Sequence, residues 1–284
     1  MRYPELQHRS SPPAIPTARD ALAPNRAIGR IALTVGANGN RTRRLAVHEA
    51  GSLRVRFPNA STDLLEAVLI NTAGGMTGGD DFSVKMSLGS GAQLVASTAA
   101  AEKIYRSIGD DATITVAIDA SAGSRCIWLP RETILFDRAR LSRRIDVDLA
   151  ANASLVMAEA VVFGRAAMKE AVHEGCLIDR WRVSQDGRLR FAESVRLEGS
   201  IARKLAVPPI ACGAVAIATV LAIPGDENMV TAARSLDFTG ELGISSWNGM
   251  TVARLCAPTG AALLHDLAVL LPALQVQLPR LWLQ

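Results

Sequence analysis

Aromatic residues are scarce in this chain of 284 residues: they make up 4%, with two tyrosines and four tryptophans. Single-stranded nucleic acid is gripped by stacking bases on aromatic rings, and sugar clefts lean on the same faces, so both classes of ligand are poorly served. Charge is thin as well. Charged residues make up 20%, and the excess of +4 is spread along the chain rather than massed in one tract. A nucleic-acid partner is therefore not expected. The four cysteines, Cys126, Cys176, Cys212 and Cys256, contain no C-x-x-C pair. That excludes a zinc ribbon and a small disulfide scaffold and leaves reduced, buried thiols. The N-terminus carries Arg2, Glu5, His8, Arg9, Arg19 and Asp20 among five prolines and has no apolar core of a secretory signal, so a cytoplasmic protein is expected. Residues 210–223 (IACGAVAIATVLAI) are uncharged, yet fall short of the roughly 20 residues that span a bilayer. Pro208, Pro209 and Pro224 bracket them, and they read as a buried strand or strand pair, with no membrane partner.

What the chain does have is apolar mass. At 49% hydrophobic it can bury a large core without disulfide or metal staples. Residues 1–25, rich in Pro and Arg and without an apolar face, read as a disordered extension. Residues 26–284 read as one β-rich domain, since no Ser- or Pro-rich linker divides them. Up to about residue 199 the text is short Val, Ile and Leu runs broken by Gly, Asn, Asp and Ser, which is strand and turn. Small-residue turns begin at Leu88, Asp119, Leu149 and Ser184, at spacings of 31, 30 and 35 residues. Strand-like runs follow each, at 93–97, 126–129, 155–162 and 189–197. Regular recurrence of one unit marks a stack of layers, each burying its apolar face on the next. The fold class is thus mainly β, with stacked strands in a β-helix-like or two-layer arrangement and one or two short helices. One helix is placed at 260–271 (GAALLHDLAVLL), ended by Pro272.

Several strings could carry chemistry. Residues 71–81 (NTAGGMTGGDD) hold four glycines after a strand. A phosphate loop needs G-x-x-x-x-G-K-[ST], and here Asp80 and Asp81 stand where the cation belongs, so a tight, conformationally demanding loop is the plainer reading. Residues 98–107 (TAAAEKIYRS) bring Glu102 and Lys103 together with no His or Cys near them, which fits a solvated edge or interface patch. Glu132 and Asp137, and Glu159 and Glu170, are carboxylate pairs of the kind glycoside hydrolysis uses, and a β-solenoid carbohydrate-active enzyme is the alternative function. When the turns are superposed, Thr98, Glu159 and Glu193 fall six or seven residues past the turn and Glu132 somewhat later. Stacking would bring their oxygens into a column able to pass a hydrated divalent cation, although a transition-metal ion held tightly prefers imidazole or thiolate. The ordinary alternative is the polar outer face of strands. His173 and Cys176 form a lone H-x-x-C without a second pair. Basic residues are 27 Arg against 4 Lys, which favours protein interfaces, with clusters at Arg41/Arg43/Arg44 and Arg138/Arg140/Arg143/Arg144. Solvated strand faces are the competing reading of each cluster.

Taken together, N-T-A-G-G-x-x-G-G-D at 71–80, K-x-Y-R-S at 103–107 and W-L-P-x-E-x-I-L-F-D at 128–137 resemble the UreD/UreH family of urease accessory proteins in order and spacing. G-R-x-x-x-x-E at 164–170, S-x-W-x-G at 245–249 and L-P-R-L-W at 278–282 extend the resemblance to nearly everything after residue 28. Met76-Thr77 stands where an aliphatic pair is usual, and Asp81 is an extra acid. The resemblance implies a β-rich scaffold with no catalytic activity and no cofactor of its own. It implies binding to the helical partner UreF, through it to the GTPase UreG, and docking on apo-urease, with nickel in transit through an internal tunnel. By motif match Asp80, Asp81, Thr98, Glu132 and Glu159 are the tunnel candidates, and the loop from Gly74 to Gly79 shapes an entrance.

Overall fold

A computed structural model describes residues 26–283 apart from 59–63, 166–167 and 169. The extension expected at 1–25 lies outside the described residues, and the first strand begins at Ile28. Two sheets face each other. The first, of seven strands, contains a hairpin of β1 (Ile28–Asn38) and β2 (Arg41–Gly51), followed in space by β5 (Asp81–Leu88), β8 (Ala112–Ala120), β11 (Arg140–Leu149), β13 (Gly175–Gln185) and β14 (Arg188–Gly199). The second, of ten, runs from β3 (Leu53–Arg56) through β4 (Leu65–Asn71), β6 (Gln93–Thr98), β9 (Arg125–Leu129), β12 (Ser154–Phe163), β15 (Ala216–Ile223) and β17 (Met250–Ala257) to β16 (Glu241–Trp247). Short β7 (Glu102–Ile104) and β10 (Thr133–Leu135) attach to it beside β12.

The chain crosses from the first sheet to the second and back, so β5-β6-β7, then β8-β9-β10, then β11-β12 are successive coils of a stack. Within each sheet the coils pair in parallel: β5 with β8 and β8 with β11 on one side, β6 with β9 and β9 with β12 on the other. The small-residue turns of the sequence are the corners of these coils. Leu88 pairs with Ala120, and Ala120 with Leu149, at the same height. The fourth turn behaves differently. It closes an antiparallel hairpin, β13 with β14, and keeps the chain in the first sheet instead of sending it across.

Burial follows from this layout. Strands of the first sheet alternate, as in β11, where Leu141, Arg143, Ile145, Val147 and Leu149 point inward. That is the pattern of a sheet with one face covered. In the second sheet β12 is buried along almost its whole length, because both of its faces are covered. One core fills the space between the sheets. A second lies outside the ten-stranded sheet, under α2 (Glu227–Arg234) and α3 (Gly260–Ala273), with Trp282 of the C-terminal segment. A helical third layer is thus added to the two layers expected. With α1 (Ile201–Leu205) there are three short helices among the described residues.

Two boundaries differ from the reading of the sequence. Pro272 lies inside the last turn of α3, where its missing N–H removes one bond at the end of the ladder, and the helix stops two residues later at Leu274. Of residues 210–223 only the part from Ala216 is strand. Ile210 is 51% exposed, because the Pro208-Pro209 pair leads into turns.

Candidate functional site

The glycine loop after β4 is fixed by its own polar ends. Asp80, buried, accepts from Ala27 N and Thr77 N, both at 2.8 Å, one on each carboxylate oxygen. Asn71 accepts from Ala73 N at 2.8 Å and donates to Gly75 O at 3.3 Å. The loop then lies on the next coil: Met76 N donates to Lys103 O, Tyr105 N to Met76 O, and the Tyr105 hydroxyl to Gly74 O at 3.1 Å. Gly75 has φ +146, and a Cβ there would stand 2.4 Å from the Tyr105 ring. Glycine is required at that point because no side chain fits between loop and ring.

The family strings meet beside this loop. The rings of Tyr105 and Phe136 are edge to face at 4.9 Å, the Arg165 guanidinium lies 4.3 Å over Phe136, and Arg165 Nε donates to Glu170 at 2.6 Å. Segments far apart in sequence therefore build one wall.

Beside the glycine loop a cavity of about 300 Å³ opens between the two sheets. Exposed Gly74, Ala99, Ala100 and Lys103 stand at its rim, and Phe82, Ile114 and Leu69 give it apolar sides. Rungs one coil apart carry its polar groups. Asn71 Nδ2 donates to Glu102 Oε1 at 2.9 Å across 31 residues of chain, and Trp128 Nε1 donates to Glu159 Oε1 at 2.8 Å across another 31. Thr98 Oγ1 accepts from Arg131 N at 2.9 Å and donates to Ala100 O at 3.0 Å.

The inner end is a buried ionic layer. Arg143 Nε donates to Asp179 Oδ1 at 3.0 Å and Nη2 to Asp179 Oδ2, while Nη1 donates to Glu159 Oε2 and to Thr133 Oγ1 at 3.3 Å. Trp181 Nε1 adds a donor to Asp179 Oδ1 at 3.1 Å. Strand register explains the meeting: Arg143 of β11 is level with Asp179 of β13, and both point inward. Beyond this layer Arg143, Glu159 and Asp179 form part of the wall of a second, much smaller cavity, with Glu193, Thr219 and Trp181. Glu193 accepts there from Arg254 Nη2 at 2.6 Å, and Arg254 is largely exposed.

Burial sets the proton affinities. It pushes the Glu102 carboxyl up to about 7, against the pull of the Asn71 hydrogen bond. The Glu159 carboxyl also rises to about 7, through burial first, with Arg143 lowering it and Asp179 raising it. Burial alone would lower Arg143, but Asp179 and Glu159 hold its guanidinium firmly protonated.

Of the residues singled out from the sequence, Thr98 and Glu159 line the large cavity, and Glu159 and Glu193 the small one. The rest lie elsewhere. Asp80 spends both oxygens on backbone N–H groups. Asp81 points to the outer face of the first sheet and pairs with Arg30. Glu132 is not a lining residue of either cavity; its Oε2 is buried without a hydrogen bond, 3.4 Å from Arg131 Nε. Glu102, read as part of a solvated edge or interface patch, lines the cavity, because β7 folds back under the glycine loop. Arg143 is the largest correction. It sits in an arginine cluster read as a protein interface or a solvated strand face, and the signal that could have found it is the alternation Leu141-x-Arg143-x-Ile145. Cys212 is exposed rather than buried, on a turn with φ +49. Among the described residues no three of His, Cys, Asp and Glu converge as a metal cluster. The internal oxygens thus offer a hard cation only weak, sparse ligands.

The family model described as "UreD urease accessory protein" matches residues 27–283. The chain is 53% identical over 269 residues to "Urease accessory protein UreD 3" of Bradyrhizobium sp. (strain BTAi1), covering 94% of this chain and 97% of that one. It is 50% identical to "Urease accessory protein UreD" of Rhodopseudomonas palustris (strain BisA53), covering 92% of each. With the protein of the same name from strain BisB5 it shares 48% identity over 282 residues, covering 98% of this chain and all of the relative.

Proposed function

The chain belongs to the UreD family of urease accessory proteins, with a role in urease maturation and not as an enzyme, and from that premise we propose that it is a scaffold which binds apo-urease and the accessory proteins UreF and UreG and guides nickel through its interior toward the urease active site. The observation that supports the conduit is the shared wall: the cavity behind the glycine loop ends on Arg143 and Glu159, and the same two residues bound the next cavity. Thr98, Glu159 and Glu193 supply oxygens along this line, with Glu102 and Asp179 added by the fold. Oxygen ligands of this kind release nickel readily, which suits cargo in transit. Asp80 serves the path indirectly by holding the loop, while Asp81 and Glu132 lie off it. We place the protein in the cytoplasm, where its free cysteines stay reduced. Among the described residues no helix is long and apolar enough to cross a membrane.

The carbohydrate-active alternative falls with the family assignment. The carboxylates that motivated it are also committed elsewhere: Glu159 is bonded to Arg143 and Trp128, and Glu132 faces neither cavity. Glycoside cleavage needs two carboxyl groups free to flank a substrate. Co-expression of urease and its other accessory proteins with and without this chain tests the proposal. Nickel per urease active site is expected to fall to background when the chain is omitted, and undiminished nickel content would end the reading.

A further inference from the structure

Arg143 and Glu159 line both cavities, so on the conduit reading an ion moving from one to the other meets Arg143, whose hold on its two sides is unequal. Toward Asp179 two nitrogens of the planar guanidinium bond both carboxylate oxygens, a fork that fixes position and orientation. Toward Glu159 only Nη1 makes contact, and it shares that contact with Thr133 Oγ1 at 3.3 Å. Glu159 itself is held still by Trp128 Nε1 on its other oxygen. The guanidinium is therefore anchored on one side and only latched on the other.

The flanking inward positions of β11 are apolar Leu141 and Ile145, so nothing else on that strand competes for Glu159. A divalent cation and the guanidinium cannot both hold Glu159 Oε2 in a dry interior, where like charges repel strongly. Passage then requires exchange at the weaker contact. We infer that Arg143 is a gate: anchored on Asp179, it closes the way between the cavities by occupying Glu159, and a divalent cation opens it by taking its place on that carboxylate. This inference rests on the conduit reading above.

The test uses the full chain and Ni²⁺ alone, without urease. Binding is measured by calorimetry and by quenching of tryptophan fluorescence, to which Trp128 on Glu159 contributes. Arg143→Gln is expected to bind Ni²⁺ at least about tenfold more tightly than the unsubstituted chain, because the ion no longer has to displace a cation. Adding Glu159→Gln to that variant is expected to abolish the gain. Equal affinity with and without Arg143, or a gain that survives Glu159→Gln, overturns the gate. If Arg143→Gln fails to fold by circular dichroism, Arg143→Lys serves. It keeps the charge but lacks the fork that spans both carboxylates, and a smaller gain with the same reversal is expected. These readouts are independent of nickel delivery. Loss of the conduit reading in the co-expression experiment and loss of the gate here are therefore separate results.

Discussion

Arg143 and Arg144 are neighbours on β11 and send their guanidinium groups to opposite faces of the sheet: the first side chain is 3% exposed and locked to Glu159 and Asp179, the second is 65% exposed and pairs with Asp146. The same residue type thus does two different things one position apart, by the period of a strand.

Stability should separate them. Arg143→Met strands two buried carboxylates and is expected to cost about 3–5 kcal/mol, as when one member of a buried ion pair is removed. Arg144→Ala breaks an exposed pair and is expected to cost under about 1 kcal/mol. Urea unfolding of the two variants beside the parent protein measures the difference, and similar losses would contradict the buried ionic layer.

Glu102 makes stability depend on pH. Its carboxyl stands at about 7 in the folded chain against 4.5 ordinarily, so the folded state holds the proton longer. Its contribution is whole below pH 4.5 and is lost as the pH rises to about 7. Glu102→Gln should therefore flatten the decline in unfolding free energy between about pH 5 and about pH 7 by up to roughly 3 kcal/mol. Glu159, raised by burial in the same direction, retains its own share in that variant. An unchanged slope would place the Glu102 side chain in water.

The glycine loop makes a sharper claim about one atom. At Gly75 an added methyl meets the Tyr105 ring at 2.4 Å and Lys103 O at 2.8 Å with φ at +146. Gly75→Ala is expected to lower stability by roughly 2–3 kcal/mol, through strain and displacement of the ring. Gly187→Ala, at φ +72 but with open space around it, should lose only about 1 kcal/mol. Thermal melts of both variants decide between steric and purely conformational cost.

Adjacent acids of the loop should also part company. Asp80→Ala leaves the N–H groups of Ala27 and Thr77 without their acceptor inside the fold, for an expected loss of roughly 2–4 kcal/mol. Asp81→Ala removes a half-exposed partner of Arg30 and is expected to cost under about 1 kcal/mol. Nickel content of co-expressed urease should follow the same order, reduced for Asp80→Ala and unchanged for Asp81→Ala.

Much of the architecture was legible because turn spacing is a one-dimensional signal. Corners at Leu88, Asp119 and Leu149 recur at the length of a coil, and pairing in register preserves that length. Thr98 and Glu159 emerged from the same spacing. Arg143 with Asp179, and Glu102 under its loop, did not. Each needs to be known as inward-facing, and the partner lies in a strand whose register only pairing can set. Of the two outer helices, α3 was readable at 260–271, whereas α2 escaped for a related reason. Met229, Val230 and Ala233 form a short apolar stripe that means little until a sheet face needs covering. Asp226 caps α2 through Met229 N at 3.0 Å, a signal readable only once the helix is suspected.

Because each coil rests on its neighbour through main-chain pairing, the space between the sheets has a width fixed by the backbone and a chemistry fixed by a handful of rungs. Exchanging a threonine or a glutamate on such a rung changes the polarity of the enclosed space while the frame stays as it is. The frame is therefore set by the main chain, and the character of its interior by a few side chains.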